Sequence, residues 1–214
     1  MGLQAKLLPV DVAPDTQNIA DGPSAADGTA LAAAVRPNMV ANFLFKRMSL
    51  LNNPRSNVAV TLSATGPGGT SAMDGVKLGD PITFSVTIDK PAFVTLLGVG
   101  SGGSLNVLLP NDLFKGDQRA QPGTPYMVPP PNGGFVLSAT APTGPTMVIA
   151  IVTSKPFDIS SLNVQTIPSL RGIGRVPSPE IRGRNIRDIV ATQAGGESEA
   201  DEWGSAFIVV PINP

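Results

Sequence analysis

Three groups of residues carry most of the chemistry this chain has to offer. Asp112 and Asp117 stand close together in the polar stretch after Leu109-Pro110-Asn111, and Glu197, Glu199, Asp201 and Glu202 crowd a second stretch. Neighbouring carboxylates hold cations or share protons in acid–base work. The first pair is read as at most a loose cation site, and the second belongs to a polar tail. Five arginines, Arg171, Arg175, Arg182, Arg184 and Arg187, form the third group. No aromatic residue interleaves with them to stack bases, so nucleic acid is not the expected partner. Gly98-Val99-Gly100-Ser101-Gly102-Gly103 has the look of a phosphate-cradling loop. That mechanism needs a strand before it and a helix N-terminus after it. The apolar run Leu105 to Leu109 follows instead, which predicts a hairpin turn.

Composition narrows the chemistry further. The 214 residues include no Cys and no His. Disulfides, zinc fingers, thiol or imidazole nucleophiles and a Ser-His-Asp triad are therefore excluded. The net charge of −1 supplies no bulk attraction to nucleic acid or an anionic membrane. Hydrophobic residues make up 42%, enough for a buried core, while 23 Gly and 22 Pro break the apolar runs into short pieces. That grammar predicts many short strands joined by turns. No apolar run is long enough to span a membrane as a helix, and the N-terminal residues lack the apolar core of a signal peptide. The expected location is cytoplasmic if the chain is complete, or periplasmic or cell-surface if a leader has been removed. Gly2 after Met1 raises myristoylation, which the absence of Ser or Thr at position 6 argues against.

In chain order, residues 1–30 read as a flexible, Ala/Asp/Gly/Pro-rich lead-in. Residues 31–54 read as a helix that covers the sheet. Pro37 suits its first turn, and Met39, Val40, Phe43, Leu44, Met48 and Leu51 fall at helical spacing before Asn52-Asn53-Pro54 stops it. From Asn57 the period becomes two. Val58, Val60 and Leu62 alternate with polar neighbours, as do Ile82, Phe84, Val86 and Ile88. Ala92 to Val99 is apolar throughout and reads as a central strand buried on both faces. Leu105–Leu109, Pro125–Pro129, Phe135–Ala139 and Met147–Thr153 add further strands. Residues 55–156 thus predict an all-β, Ig-like antiparallel β-sandwich. Residues 157–202 read as a long excursion with a short helix near Pro179 to Ile189. Residues 203–214, opened by Trp203, form the strand that closes the sandwich.

The middle of the chain resembles a known family, the bacterial domain of unknown function 4384. Gly79-Asp80 opens the pattern, followed by a strand carrying Phe93 and then Leu108-Leu109-Pro110-Asn111. A loop with Arg119 and Gly123 leads to Tyr126 and Pro129. Phe135-Val136-Leu137, Pro142-Thr143-Gly144 and an apolar strand ending at Ser154 with Pro156 complete it. The likeness covers roughly residues 76–156 and the last ten. Phe93 stands where Tyr is usual, and Thr143 where an apolar residue is usual. The resemblance implies an accessory β-sandwich domain of the kind attached to caspase-like peptidases or protein kinases, or found in exported bacterial proteins. It implies no reaction.

The expected function is therefore a non-catalytic protein-interaction or scaffolding module. The alternative is a structural subunit of a bacterial secretion or surface assembly, and a hydrolase or nucleic-acid binder ranks below both. No cofactor or metal is expected. The partner is a protein or further copies of this chain. The candidate contact residues are Asn111, Asp117, Arg119, Arg182, Arg184 and Arg187. Asn111 is also the natural turn former of its loop, Asp117 and Arg119 also suit a local pair, and Trp203 is expected to be a core anchor.

Overall fold

The structure is a computed structural model that describes residues 41–42, 45–46, 51, 53, 56–111, 114, 117–158, 165–166, 174–175 and 203–214. It is an all-β protein. The strands are β1 (Val60–Thr65), β2 (Val76–Lys77), β3 (Pro81–Ile88), β4 (Ala92–Val99), β5 (Leu105–Leu109) and β6 (Arg119–Ala120). They continue with β7 (Tyr126–Val128), β8 (Leu137–Ser138), β9 (Gly144–Thr153), β10 (Gln165–Thr166), β11 (Gly174–Arg175) and β12 (Trp203–Asn213). Two 3-10 turns, Pro67–Gly69 and Ala72–Asp74, lie between β1 and β2.

The strands form two sheets. The smaller has the order β1-β3-β7, with β8 pairing β3 farther along. The larger runs β10-β11-β5-β4-β9-β12-β2, with β6 beside β4. Every pairing is antiparallel except that of β12 with β2, which is parallel at Ile212↔Val76 and Asn213↔Lys77. The wholly antiparallel arrangement expected from the sequence is corrected at this one pair. It arises because β2, a two-residue strand on the way into β3, lies against the chain's own last residues.

Alternation along each strand assigns its side chains to faces. Ile82, Phe84, Val86 and Ile88 of β3 are all buried, with half-buried Thr83, Ser85 and Thr87 on the other face. They meet Leu62 and Ala64 of β1 and the even-numbered side of the larger sheet: Val94, Leu96, Val148, Ala150, Val152, Ile208 and Val210. The odd-numbered side of the larger sheet is buried as well. There Leu97, Val99, Leu105, Val107, Met147, Ile149 and Ile151 pack with Phe45, Leu51, Phe157 and Trp203. Burial on both faces is what the unbroken apolar runs of β4 and β9 require. Each fully buried Leu or Ile contributes about 1.5–3 kcal/mol of transfer free energy.

Ala41, Asn42, Phe45 and Lys46 have helical backbone, and Ala41 and Phe45 are buried. Most of the remaining helix expected over 31–54, the lead-in 1–30 and the short helix expected near 179–189 lie outside the described residues. Leu51 and Asn53 bind the start of β12. Asn53 Nδ2 donates to the Trp203 carbonyl at 2.8 Å, and Ser205 Oγ donates to the Leu51 carbonyl at 2.6 Å. The excursion 157–202 returns to the larger sheet part-way: β11 pairs β5, and β10 pairs β11. Hydrophobic periodicity gave no sign of either strand.

One irregularity positions the loop described next. Leu96 pairs with Leu109, but Leu97 pairs with Val107, so Leu108 is an extra residue in β5. This β-bulge turns the strand over. Leu105 and Val107 face the outer cluster, while Leu109 faces the core between the sheets.

Candidate functional site

After the bulge the chain leaves the sheet at Pro110 and returns at β6. β5 pairs with Leu96–Val99, and β6 pairs with Ala92 and Phe93 of the same strand. The Val94 amide also donates to the Gln118 carbonyl at 3.0 Å. β5 and β6 are thus one lane of the sheet, with residues 110–118 connecting them.

The loop is held by its own polar groups. Asn111 Nδ2 donates to the Leu108 carbonyl at 2.6 Å, and Asn111 Oδ1 accepts the Phe114 amide at 2.8 Å. This is the side-chain turn expected of Asn at that corner. Phe114 packs on the core between the sheets and meets Tyr126 edge to face, with ring centroids 6.4 Å apart and planes at 89°. Tyr126 belongs to the edge strand of the smaller sheet, so this ring pair ties the loop of one sheet to the rim of the other. The Tyr126 hydroxyl donates to the Asp117 carbonyl at 3.0 Å. Burial of the phenol pushes its pKa up to about 12, and the Asp117 charge adds to the effect.

Asp117 and Arg119 are both exposed. Asp117 Oδ1 accepts the Arg119 main-chain amide at 2.9 Å. The carboxylate therefore orders the backbone of Arg119, and the guanidinium is presented at the surface. Register places Arg119 at the end of a row across the larger sheet: Arg119↔Phe93, Phe93↔Thr153 and Thr153↔Trp203. Residues in register share a face. Thr153 and Trp203 are buried in this row, so its exposed end is Arg119.

The residues singled out in the sequence therefore divide. Asn111, Asp117 and Arg119 all belong to the connection between β5 and β6, where Asn111 holds Phe114 and Asp117 holds Arg119. Arg182, Arg184 and Arg187 lie outside the described residues, as do Asp112 and the carboxylates at 197–202. Arg175 is opposite Asn106 in the backbone pairing of β11 with β5. Phe114 and Tyr126 were not singled out as site residues, although both hold the loop. Their signal was an aromatic on either side of a polar loop, one of them the only Tyr in the chain. Among the described residues no group of three or more Asp or Glu is placed to hold a metal ion.

Residues 75–156 match the family model of a domain of unknown function, DUF4384. The likeness to DUF4384 covers this stretch of the chain. No curated protein and no solved structure matches it. The DUF4384 segment spans β2 to β9 and holds the entire 110–118 loop together with Tyr126. It leaves out β1 and β12, the strands that pair with β3 and β9. The folded unit is thus wider than the DUF4384 match. Among the described residues no helix is long and apolar enough to cross a membrane.

Proposed function

We propose that this chain is a non-catalytic protein-interaction or scaffolding module, an Ig-like β-sandwich that presents the loop from Asn111 to Arg119 to a protein partner. The observation that carries the reading is the loop's construction. Asn111, Phe114 and Asp117 are each held by hydrogen bonds or by the Phe114–Tyr126 ring pair, and Arg119 stands exposed beside them. Contact residues that are already held in place lose little conformational entropy on binding. An exposed guanidinium offers forked donors that suit a carboxylate or a carbonyl pair on another protein.

The test is co-purification from the source cells with the tagged wild-type chain and with an Asp117→Ala/Arg119→Ala variant of unchanged circular dichroism. A partner in near-stoichiometric amount with the wild type and lost from the variant supports the reading. A partner retained in full by the variant contradicts it. The alternative, a structural subunit of a larger assembly, predicts self-association of the pure chain by light scattering.

A further inference from the structure

The connection between β7 and β8 contains the one Asn-Gly pair of the sequence, Asn132-Gly133. The Gly133 amide donates to the Pro130 carbonyl at 2.9 Å and closes a four-residue turn. Pro131 takes the second position and Asn132, at φ 79°, the third, which is the pattern of a type II turn. Among the described residues Asn132 is the only one other than glycine with positive φ. A left-handed backbone favours Gly or Asn, so few other side chains suit position 132. Position 133 is restricted by space. A Cβ there would stand 2.7 Å from Pro130 Cγ and 3.0 Å from the Pro130 carbonyl oxygen. The turn thus selects, side by side, two residues whose junction is chemically labile. Asparagine is thermolabile because its carboxamide lies within reach of the next main-chain nitrogen. A side chain on the following residue shields that nitrogen, and glycine has none. Asn132 is also exposed, between exposed Pro131 and half-buried Gly133. Asn111 is the contrast. Its carboxamide is held at both ends, by the Leu108 carbonyl and the Phe114 amide, and Asp112 follows it.

We propose that Asn132 is a self-modifying site, at which the chain converts its own side-chain amide to a carboxylate with water as the only reagent. The turn first releases the hydrogen bond from Gly133 to Pro130, an opening that costs little at an exposed loop tip. The Gly133 nitrogen loses its proton to solvent and bonds to Asn132 Cγ. The Cγ–Nδ2 bond breaks, Nδ2 takes up a proton and leaves as ammonia, and a five-membered succinimide remains. Water then opens the ring at either carbonyl. One opening gives aspartate at position 132. The other gives isoaspartate, in which the main chain runs through Cγ. Nothing is oxidised or reduced. Either product adds one negative charge and takes the net charge from −1 to −2. Isoaspartate lengthens the main chain by one carbon, which Gly133 and Gly134 directly after it can take up, Gly134 being already at φ 72°. The proposal stands apart from the interaction-module reading and does not draw on it.

The test is peptide mapping by mass spectrometry after the native full-length chain is incubated in mildly alkaline buffer made with heavy-oxygen water. The peptide that holds Asn132 is expected to exchange its amide for an acid carrying one solvent oxygen. It should appear as two products, isoaspartate and aspartate, separable by chromatography. The rate at Asn132 is expected to exceed that at every other asparagine of the native chain by at least tenfold, and to rise with pH because the Gly133 nitrogen must lose its proton. Asn132→Gly suits the left-handed turn position, so this variant is expected to fold and to show no conversion in that peptide. A margin under tenfold, a rate independent of pH, aspartate as the sole product, or conversion that persists in Asn132→Gly overturns the proposal. So does a native chain that stays unconverted while the guanidinium-unfolded chain converts, because the Gly133–Pro130 bond would then hold the nitrogen shut. The wild-type rates alone decide if Asn132→Gly does not fold. None of these outcomes bears on whether the Asp117→Ala/Arg119→Ala variant retains a co-purifying partner.

Discussion

Asn53 and Trp203 are 150 residues apart in sequence and joined by a buried hydrogen bond, Asn53 Nδ2 to the Trp203 carbonyl, at 2.8 Å. The bond fastens the segment that precedes β1 to the first residue of the last strand. It shows that the folded unit reaches well beyond the DUF4384 match at both ends. Replacing Asn53 by Ala leaves the Trp203 carbonyl without this donor, and a buried group left unsatisfied costs about 1–3 kcal/mol. Asn53→Ala should lower unfolding free energy by that amount in urea titrations followed by Trp203 fluorescence. An unchanged midpoint would show that water replaces the bond at no cost.

The same junction makes Gly204 intolerant of a side chain. A Cβ at this position would stand 2.8 Å from the Val58 carbonyl, 2.9 Å from Ser56 Oγ and 2.9 Å from Val60 Cγ2. The nearest obstacle is backbone, which cannot swing aside as a long side chain can. Gly204→Ala should destabilise by about 1–3 kcal/mol. Because both variants disturb the packing of Asn53, Ser56, Val58 and Val60 on the start of β12, the Asn53→Ala/Gly204→Ala double variant should cost less than the two singles summed. Simple additivity would show that the two contacts act independently.

Tyr126 gives a pH signature. Its folded pKa is raised from 10.0 to about 12. For a group whose folded pKa is raised, the unfolded chain ionises first. The stability contribution is thus complete below pH 10 and is lost as pH rises from 10 towards 12. The chain contains one Tyr, so absorbance at 295 nm reports this residue alone. The native protein should titrate well above the urea-denatured protein. Coincident curves, with native circular dichroism retained, would contradict the half-buried hydroxyl and its contact to Asp117. Tyr126→Phe should cost about 0.5–1.5 kcal/mol and abolish the stability loss in that window.

Much of this fold was legible in the residues, for reasons that can be stated strand by strand. Ile82, Phe84, Val86 and Ile88 alternate because one face of β3 meets the core, and all four are buried. Ala92–Val99 and Met147–Thr153 do not alternate because the larger sheet is covered on both sides. Leu105, Val107 and Leu109 read as one face, whereas the Leu108 bulge divides them between two clusters. An extra residue within an apolar run leaves the hydrophobic pattern unbroken, so sequence alone carried no trace of it. β10 and β11 are two residues each and exist only through their partners, which no local period reveals, whereas Val76-Lys77 reads as a short strand entry and forms β2. In the site, the Asn111 turn was readable because it uses local chemistry. The Tyr126–Asp117 contact was not, because it depends on β7 pairing with β3.

The most direct test of the interaction-module account is site-specific photo-crosslinking in the source cells. A benzophenone amino acid is placed at Gln121, which is exposed two residues beyond Arg119 and leaves the loop's own contacts intact. The control position is Thr87, on the outward face of the smaller sheet. The account predicts a discrete protein adduct from position 121, none from position 87, and loss of the adduct when Asp117→Ala/Arg119→Ala is added. No adduct from position 121, or the same adducts from both positions, would contradict it.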